Sequence, residues 1–520
     1  MTSSPAMLTA LKRVIFAPAG IAMIEHGLVT LVMMGAYAML IQRFGLDVVG
    51  LWVLLTALIN YAHVGDIWSK GLLSFMGEER GQDRPDDAAA YASTAIITGA
   101  IGYFLLMATT GGGLYLSASY FAEPQHQATI HQHLPSLVVA YWLIASASGF
   151  QQAFIGFGLP WLSAIQRVGG SLIFLIGIIL SAPEDGLGAI LPIQIIQGVA
   201  MISFGAVIYF GWLTRRLNFA FWQKQKLHYL IRFGVKLLAV GAVQSSIEPI
   251  IKLMVGHYAG LSVVTVLELA LRLIQGVRGL ILSVGQVIIT FLAKTASQDK
   301  SHKTDRIKQE YPKITEAMMT GSISAFAVLF AVAPLMAWVF FNTKSDDPAT
   351  ALFPLILLVF GLAWLINAMT AGGYFLLVAL RRSQPLFLSE LWRSVLIAGI
   401  GFALGEVIGF NGVLVAVFLG FTLSSLYLFM QAAQGIGLSS RLIFITVARK
   451  AWPVILPLGW AAAMVIFWMA TTSGPWLSPE PIPVFAPILF YGIMPITTLI
   501  LLLKFGRLGE IIRAIQDLKL

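Results

Sequence analysis

Within stretches that are otherwise apolar, Asp66 and Lys70 stand four residues apart, and further charges recur at Glu248, Lys252, Glu268 and Arg272. On a helix that spacing puts both groups on one face, where they neutralise one another or share a charged ligand. A lone charge in hydrocarbon is costly unless it is paired or meets water, so each one marks a candidate functional surface. Guanidinium and ammonium groups so placed suit phosphate oxygens, which arginine meets with two parallel hydrogen bonds. Carboxylates in the same setting suit a proton or a sodium ion. Glu25, Lys236 and Arg278 lie in runs of the same kind, while Arg167, Glu390, Arg393 and Glu406 fall closer to the ends of theirs. A plainer reading stands beside these, in which paired charges only fix the register of a helix hairpin.

The elements that hold such residues follow from composition. A chain of 520 residues with 58% hydrophobic side chains, 11% charged ones and a mean hydropathy of +0.84 is a polytopic membrane protein, not a soluble domain. It has no cysteine, which excludes disulfides, thiolate metal sites and a cysteine nucleophile. The net charge of +9 reads as leaflet asymmetry and not as a nucleic-acid footprint. No removable signal peptide is expected, and residues 6–16 read as a short amphipathic lead-in.

At about 20 apolar residues per crossing, the sequence predicts an all-α protein of about fourteen transmembrane helices. They fall near 19–42, 48–76, 90–116, 134–157, 161–181, 189–212, 231–257, 262–293, 317–341, 351–379, 387–408, 412–434, 451–471 and 483–503. Lysine and arginine crowd alternate loops: Arg80 and Arg84; Arg215 to Arg232; Lys294 to Lys313; Arg381 and Arg382; Arg441 to Lys450; and Lys504 to Lys519. The opposite loops hold Arg43 and Lys344, so an even number of spans and two cytoplasmic termini are expected. The longest external loop, 117–133, is too short for a folded domain.

FGLDVV at 44–49 recurs as AGLSVV at 259–264, 215 positions later, each just before an apolar run. Six spans separate them, which preserves orientation and predicts a parallel pseudo-two-fold repeat. The expected organisation is an N-terminal lobe over 1–215, a C-terminal lobe over 216–437, and two appended spans with a cytoplasmic tail over 438–520. On the eighth span Glu268, Arg272, Gln275, Gly279, Ser283 and Gln286 share one face, a polar seam about 27 Å long. Depth counted outward from Gly260 sets Glu248 level with Arg272 and Lys252 level with Glu268, predicting a four-charge network across the hairpin. The same count about Gly45 sets Glu25 level with Asp66, a turn from Lys70. His26 and His63 read as interior hydrogen-bonding residues, and His126, His131 and His133 as loop residues with little claim to a metal.

No G-x-x-x-x-G-K-[ST] loop occurs, so ATP hydrolysis has no recognisable seat. Asp346 and Asp347 read as a solvated turn. Transport is favoured over catalysis, and no cofactor is expected.

GLWVLLTALINYAHVGDIWSKGLLSFMGEERGQ, residues 50–82, resembles the second-span signature of polysaccharide transporters. Residues 230–281, with their E-P-x-x-K and E-L-A-x-R-L segments, are similar to the start of that family's second half. These transporters belong to the multidrug, oligosaccharidyl-lipid and polysaccharide (MOP) exporter superfamily. The resemblance implies two six-helix lobes about a cavity lined by spans 1, 2, 7 and 8. It also implies a polyprenyl-diphosphate-linked oligosaccharide as cargo, moved to the periplasmic leaflet of a bacterial inner membrane for cell-surface polysaccharide synthesis, beside glycosyltransferases or a glycan polymerase. Arg272, Arg278, Lys252 and Lys70 are then expected to draw in the diphosphate. Glu248 and Glu268 hold those cations in the empty state, and Gln244, Gln275, Asn60 and Tyr61 meet sugar hydroxyls. Glu25 and Asp66 suit a coupling proton or sodium ion. The alternatives are a cation-coupled multidrug or other exporter of the superfamily, and a membrane glycan polymerase or ligase.

Overall fold

The structure is a computed structural model that describes residues 18–60, 72–73, 75–76, 78–80, 82–121, 124–182, 186–215, 217, 221–297, 303–341, 347–380, 382–472, 496–498 and 500–501. Among these the chain is helical, without a strand. Nine of the described helices are long and apolar enough to cross a membrane, which makes this a multi-pass membrane protein. The expected fourteenth span, 483–503, lies almost wholly outside the described residues, as do the lead-in and most of the second span beyond Asn60.

The chain forms two compact units, Met1–His257 and Tyr258–Leu520. The first contains α1 (Pro18–Phe44), α2 (Leu46–Asn60), α3 (Pro85–Phe121), α4 (Pro124–Gly156), α5 (Pro160–Leu180), α6 (Leu187–Ala206) and nearly all of α7 (Lys224–Ala259). There α1 packs on α5, α3 on α4, and α4 and α5 on α6. The start of α7 is tied to α3: Lys226 Nζ is paired with Asp87 and lies 4.5 Å over the Tyr91 ring, while the Gln223 amide donates to Thr94 Oγ1. Those links tie the start of α7 to α3 of the first unit.

The second unit contains α8 (Leu261–Ser297), α9 (Lys303–Phe341), α10 (Phe353–Met369), α11 (Ala371–Ala379), α12 (Ser383–Ile408), α13 (Phe410–Gly435) and α14 (Ser440–Thr472). In it α8 packs on α9, α10 and α11, α10 on α13, α12 on α13, and α9 on α14. The expected tenth span, 351–379, is divided at Thr370 into α10 and α11. The expected loop 117–133 is instead mostly helix, since α3 runs to Phe121 and α4 starts at Pro124. Hydropathy ends where the hydrocarbon would, but a helix satisfies its own backbone and continues past that level.

The two units repeat local structure. α1 turns into α2 at Gly45 (φ 81°) and α7 into α8 at Gly260 (φ 89°), a conformation that glycine adopts without strain. In each case the carbonyl of that glycine accepts from a valine amide, Val49 and Val264. Further on the offset becomes 223 positions. The amide of Leu159 bonds the carbonyl of Phe154 as Arg382 does Leu377, and Ala189 bonds Gly186 as Gly412 does Gly409. Between helices, Gln166 Nε2 donates to the Met201 carbonyl (2.7 Å) as Ser389 Oγ does to that of Ser424 (3.0 Å). Matching backbone and side-chain bonds at a nearly constant offset are what a duplicated six-helix unit leaves behind.

Candidate functional site

On α7, Lys252 Nζ lies 2.5 Å from Glu248 Oε1; on α8, Arg272 Nε lies 2.6 Å from Glu268 Oε1. Depth counting had set these groups against one another across the hairpin, and these two contacts close along each helix, between residues one turn apart. The two pairs are built with opposite sense. On α7 the cation is the covered member, with Lys252 3% and Glu248 41% exposed, whereas on α8 the acid is covered, with Glu268 2% and Arg272 39% exposed. A carboxylate held in the packed interior of α8 therefore fixes a guanidinium whose side chain is partly exposed. Thr265, Leu267, Leu269 and Ala270 are buried around it, which keeps the Glu268 end of the seam in the packed face of α8. Gln275 continues the seam and is partly buried, while the side chains of Ser283 and Gln286 lie outside the described set.

Of the remaining expected site residues, Gln244 is exposed on α7 and Asn60 closes α2 partly buried. Tyr61, Asp66 and Lys70 lie outside the described residues, as does His63. The side chains of Lys236 and His126 are likewise outside the described set. Glu25 finds a partner that hairpin counting does not offer: Arg167 Nη1 on α5 lies 3.2 Å from Glu25 Oε1 on α1. Arg167 also donates from Nε to Gln151 Oε1 at 2.8 Å, which fixes its direction. Beside Glu25, α1 and α5 enclose an apolar groove of about 660 Å³ lined by Ile24, Leu28, Trp161, Ile165 and Leu172.

Arg278 is set apart from Arg272. Its guanidinium lies 4.5 Å over the Trp364 ring on α10, and its electrostatic neighbours are Arg393, Glu390 and Tyr374. Arg393, 2% exposed, donates from Nη1 to Glu390 Oε2 (2.8 Å) and from Nε to Ser424 Oγ (2.9 Å), and sits 4.7 Å over the Phe421 ring. Glu390 and Arg393, read from the sequence as close to a span end, are both buried, where α12 packs on α13.

The G-L-W opening of the resemblance has a structural account. Trp52, buried between Tyr37 and Phe174, donates from Nε1 to Gln194 Oε1 at 3.1 Å, and Gln194 Nε2 donates to Tyr141 Oη at 3.0 Å. That chain fastens α2 to α6 and α4. His131 and His133 fall on α4 and not in a loop; His131 Nε2 is 3.0 Å from the Tyr115 carbonyl and its ring packs 4.3 Å from the Tyr115 ring. Asp347 caps the short 3₁₀ turn Pro348–Leu352 by accepting from the Ala349 amide at 2.9 Å.

No protein-family model matches the chain. No curated protein matches it either. Solved structures do. An inward-facing multidrug resistance MATE family transporter of the MOP superfamily aligns with TM-score 0.61 and 14% identity over 78% of this chain and 94% of its own. The lipid II flippase MurJ, in an inward closed conformation, aligns with TM-score 0.61 and 13% identity over 93% of this chain and 99% of its own. A MOP superfamily transporter from Pyrococcus furiosus aligns with TM-score 0.57 and 14% identity over 81% and 96%. The chain has the fold of the MOP superfamily.

Proposed function

We propose that this chain, built on the fold of the MOP transporters, is a flippase for a polyprenyl-diphosphate-linked oligosaccharide, working by alternating access in a bacterial inner membrane with both termini cytoplasmic. The observation that carries this reading is the Glu268–Arg272 pair, in which a covered acid holds a partly exposed arginine. A prenyl tail is at home among acyl chains, so the protein has only to receive the diphosphate and the sugars. In the empty state Glu268 neutralises Arg272; an arriving diphosphate takes the outer N–H groups of the guanidinium in two parallel hydrogen bonds. Lys252, covered and bound to Glu248, is assigned to the diphosphate from the sequence. Gln275, Gln244 and Asn60 supply amide groups for sugar hydroxyls, with Tyr61 and Lys70 assigned to the same tasks from sequence. Glu25 exchanges Arg167 for a proton or sodium ion during the cycle, and Asp66 remains a second carboxylate for that role. One of the similar structures is itself a lipid II flippase.

A second reading, a cation-coupled exporter of drugs, is favoured by Glu248, the exposed member of the α7 pair. Reconstitution separates the two. Proteoliposomes holding the purified chain should move a short-chain prenyl-diphosphate oligosaccharide across the bilayer and should not accumulate cationic dyes. Dye transport without glycan transport would replace the first reading by the second, and lengthening of the supplied glycan would point to a polymerase or ligase.

A further inference from the structure

Among the described residues of the second unit, two interior arginines, Arg278 and Arg393, share one acid, Glu390. Arg393 is 2% exposed and Glu390 6%, and their ion pair is closed at 2.8 Å. Arg278 stands nearby as a second guanidinium, stacked on Trp364, whose ring is itself 4.5 Å from that of Phe421 beneath Arg393. Among the described residues Arg278 makes no hydrogen bond and no ion pair, and its buried Nε lacks an acceptor. Arg393 is spoken for at Nε and Nη1, but its buried Nη2 also lacks one. Among the described residues, two guanidinium groups face one carboxylate, which leaves one positive charge in excess, and Arg278 Nε and Arg393 Nη2 find no acceptor.

An arginine partly buried within a membrane protein ordinarily meets a carboxylate, a carbonyl or water, because an unmatched charge there costs several kcal/mol. The aromatic faces of Trp364 and Phe421 stabilise the flat sides of the two cations without using any edge donor. The edges are what an anion would bind. The shortfall is a single negative charge, which favours a monovalent species. We infer that Arg278 and Arg393, with Trp364 and Phe421 behind them, form a binding site for one small inorganic anion of the chloride class inside the second unit. Arg278, expected from the sequence to share the diphosphate with Arg272, is assigned to this anion instead, while Arg272 keeps the diphosphate. The anion's role is to neutralise the interior so that α8, α10, α12 and α13 pack with their guanidinium groups in place.

The test is thermal unfolding of the full chain in detergent, titrated with sodium chloride against sodium gluconate at constant ionic strength. Wild type should show a saturable rise in Tm with chloride and none with gluconate. In Arg278→Met the rise should vanish, and in gluconate that variant should unfold at or above the wild-type temperature, because it removes an uncompensated charge. Arg278→Lys keeps the charge and should keep part of the response. A Tm indifferent to chloride in wild type, or a chloride response retained in Arg278→Met, would overturn the inference. Neither outcome depends on whether the chain moves a lipid-linked glycan.

Discussion

Arg167 on α5 reaches across to Glu25 on α1 at 3.2 Å and steadies itself on Gln151 of α4, so one cation joins three helices of the first unit. Arg167 is 43% exposed and Glu25 only 11%, which makes the acid the member that needs its partner. Arg167→Met should therefore lower stability by about 2 kcal/mol, less than for a fully buried pair. Adding Glu25→Gln should restore most of that loss. Thermal unfolding of the two single variants and the double variant gives the coupling directly, and additive losses would show that the contact does not hold the helices.

Gln194 makes two buried hydrogen bonds at once, accepting from the Trp52 indole at Oε1 and donating from Nε2 to the Tyr141 hydroxyl. Gln194→Leu keeps the bulk and strands the indole N–H, so a loss of about 2 kcal/mol is expected. Trp52→Phe in the same background should then cost little, because the stranded donor is gone. Fluorescence of the purified variants during denaturation measures both.

Glycines in the α12–α13 pair should respond differently to an added methyl. A Cβ on Gly412 would lie 2.4 Å from the backbone carbonyl of Leu404, so Gly412→Ala must push the helices apart, at a cost of about 2 kcal/mol or more. Gly399, on the same helix as Leu404, has nothing within 4 Å of that position. Gly399→Ala should raise stability by up to about 1 kcal/mol through helix propensity. Unfolding temperatures in the opposite order would contradict the packing.

Much of the helical plan was legible in the sequence, and the reason is specific. A run such as 161–181 must be a helix if it crosses hydrocarbon, and α5 occupies Pro160–Leu180. The repeat was legible because the turns at Gly45 and Gly260 both need a conformation that glycine adopts without strain, so the same letter marks each. Partners were harder to read. Counting depth from a turn compares only the two helices of one hairpin, so it overlooked Arg167, which arrives by the packing of α1 on α5. The sequence also could not show that Arg393 is buried, because that depends on α13, a separate helix later in the chain. Nor does hydropathy mark where α3 and α4 stop, since both helices outrun their apolar stretches.

The reading of this chain as a lipid-linked glycan flippase rests most heavily on Arg272, the partly exposed side chain held by Glu268. The direct measurement is the initial rate of prenyl-diphosphate oligosaccharide translocation in proteoliposomes, compared between wild type and Arg272→Ala at matched protein density. Loss of a charge-assisted contact to phosphate should slow translocation by about tenfold or more, with Arg272→Lys in between. An Arg272→Ala protein that is folded, correctly inserted and transports at the wild-type rate would contradict the proposal.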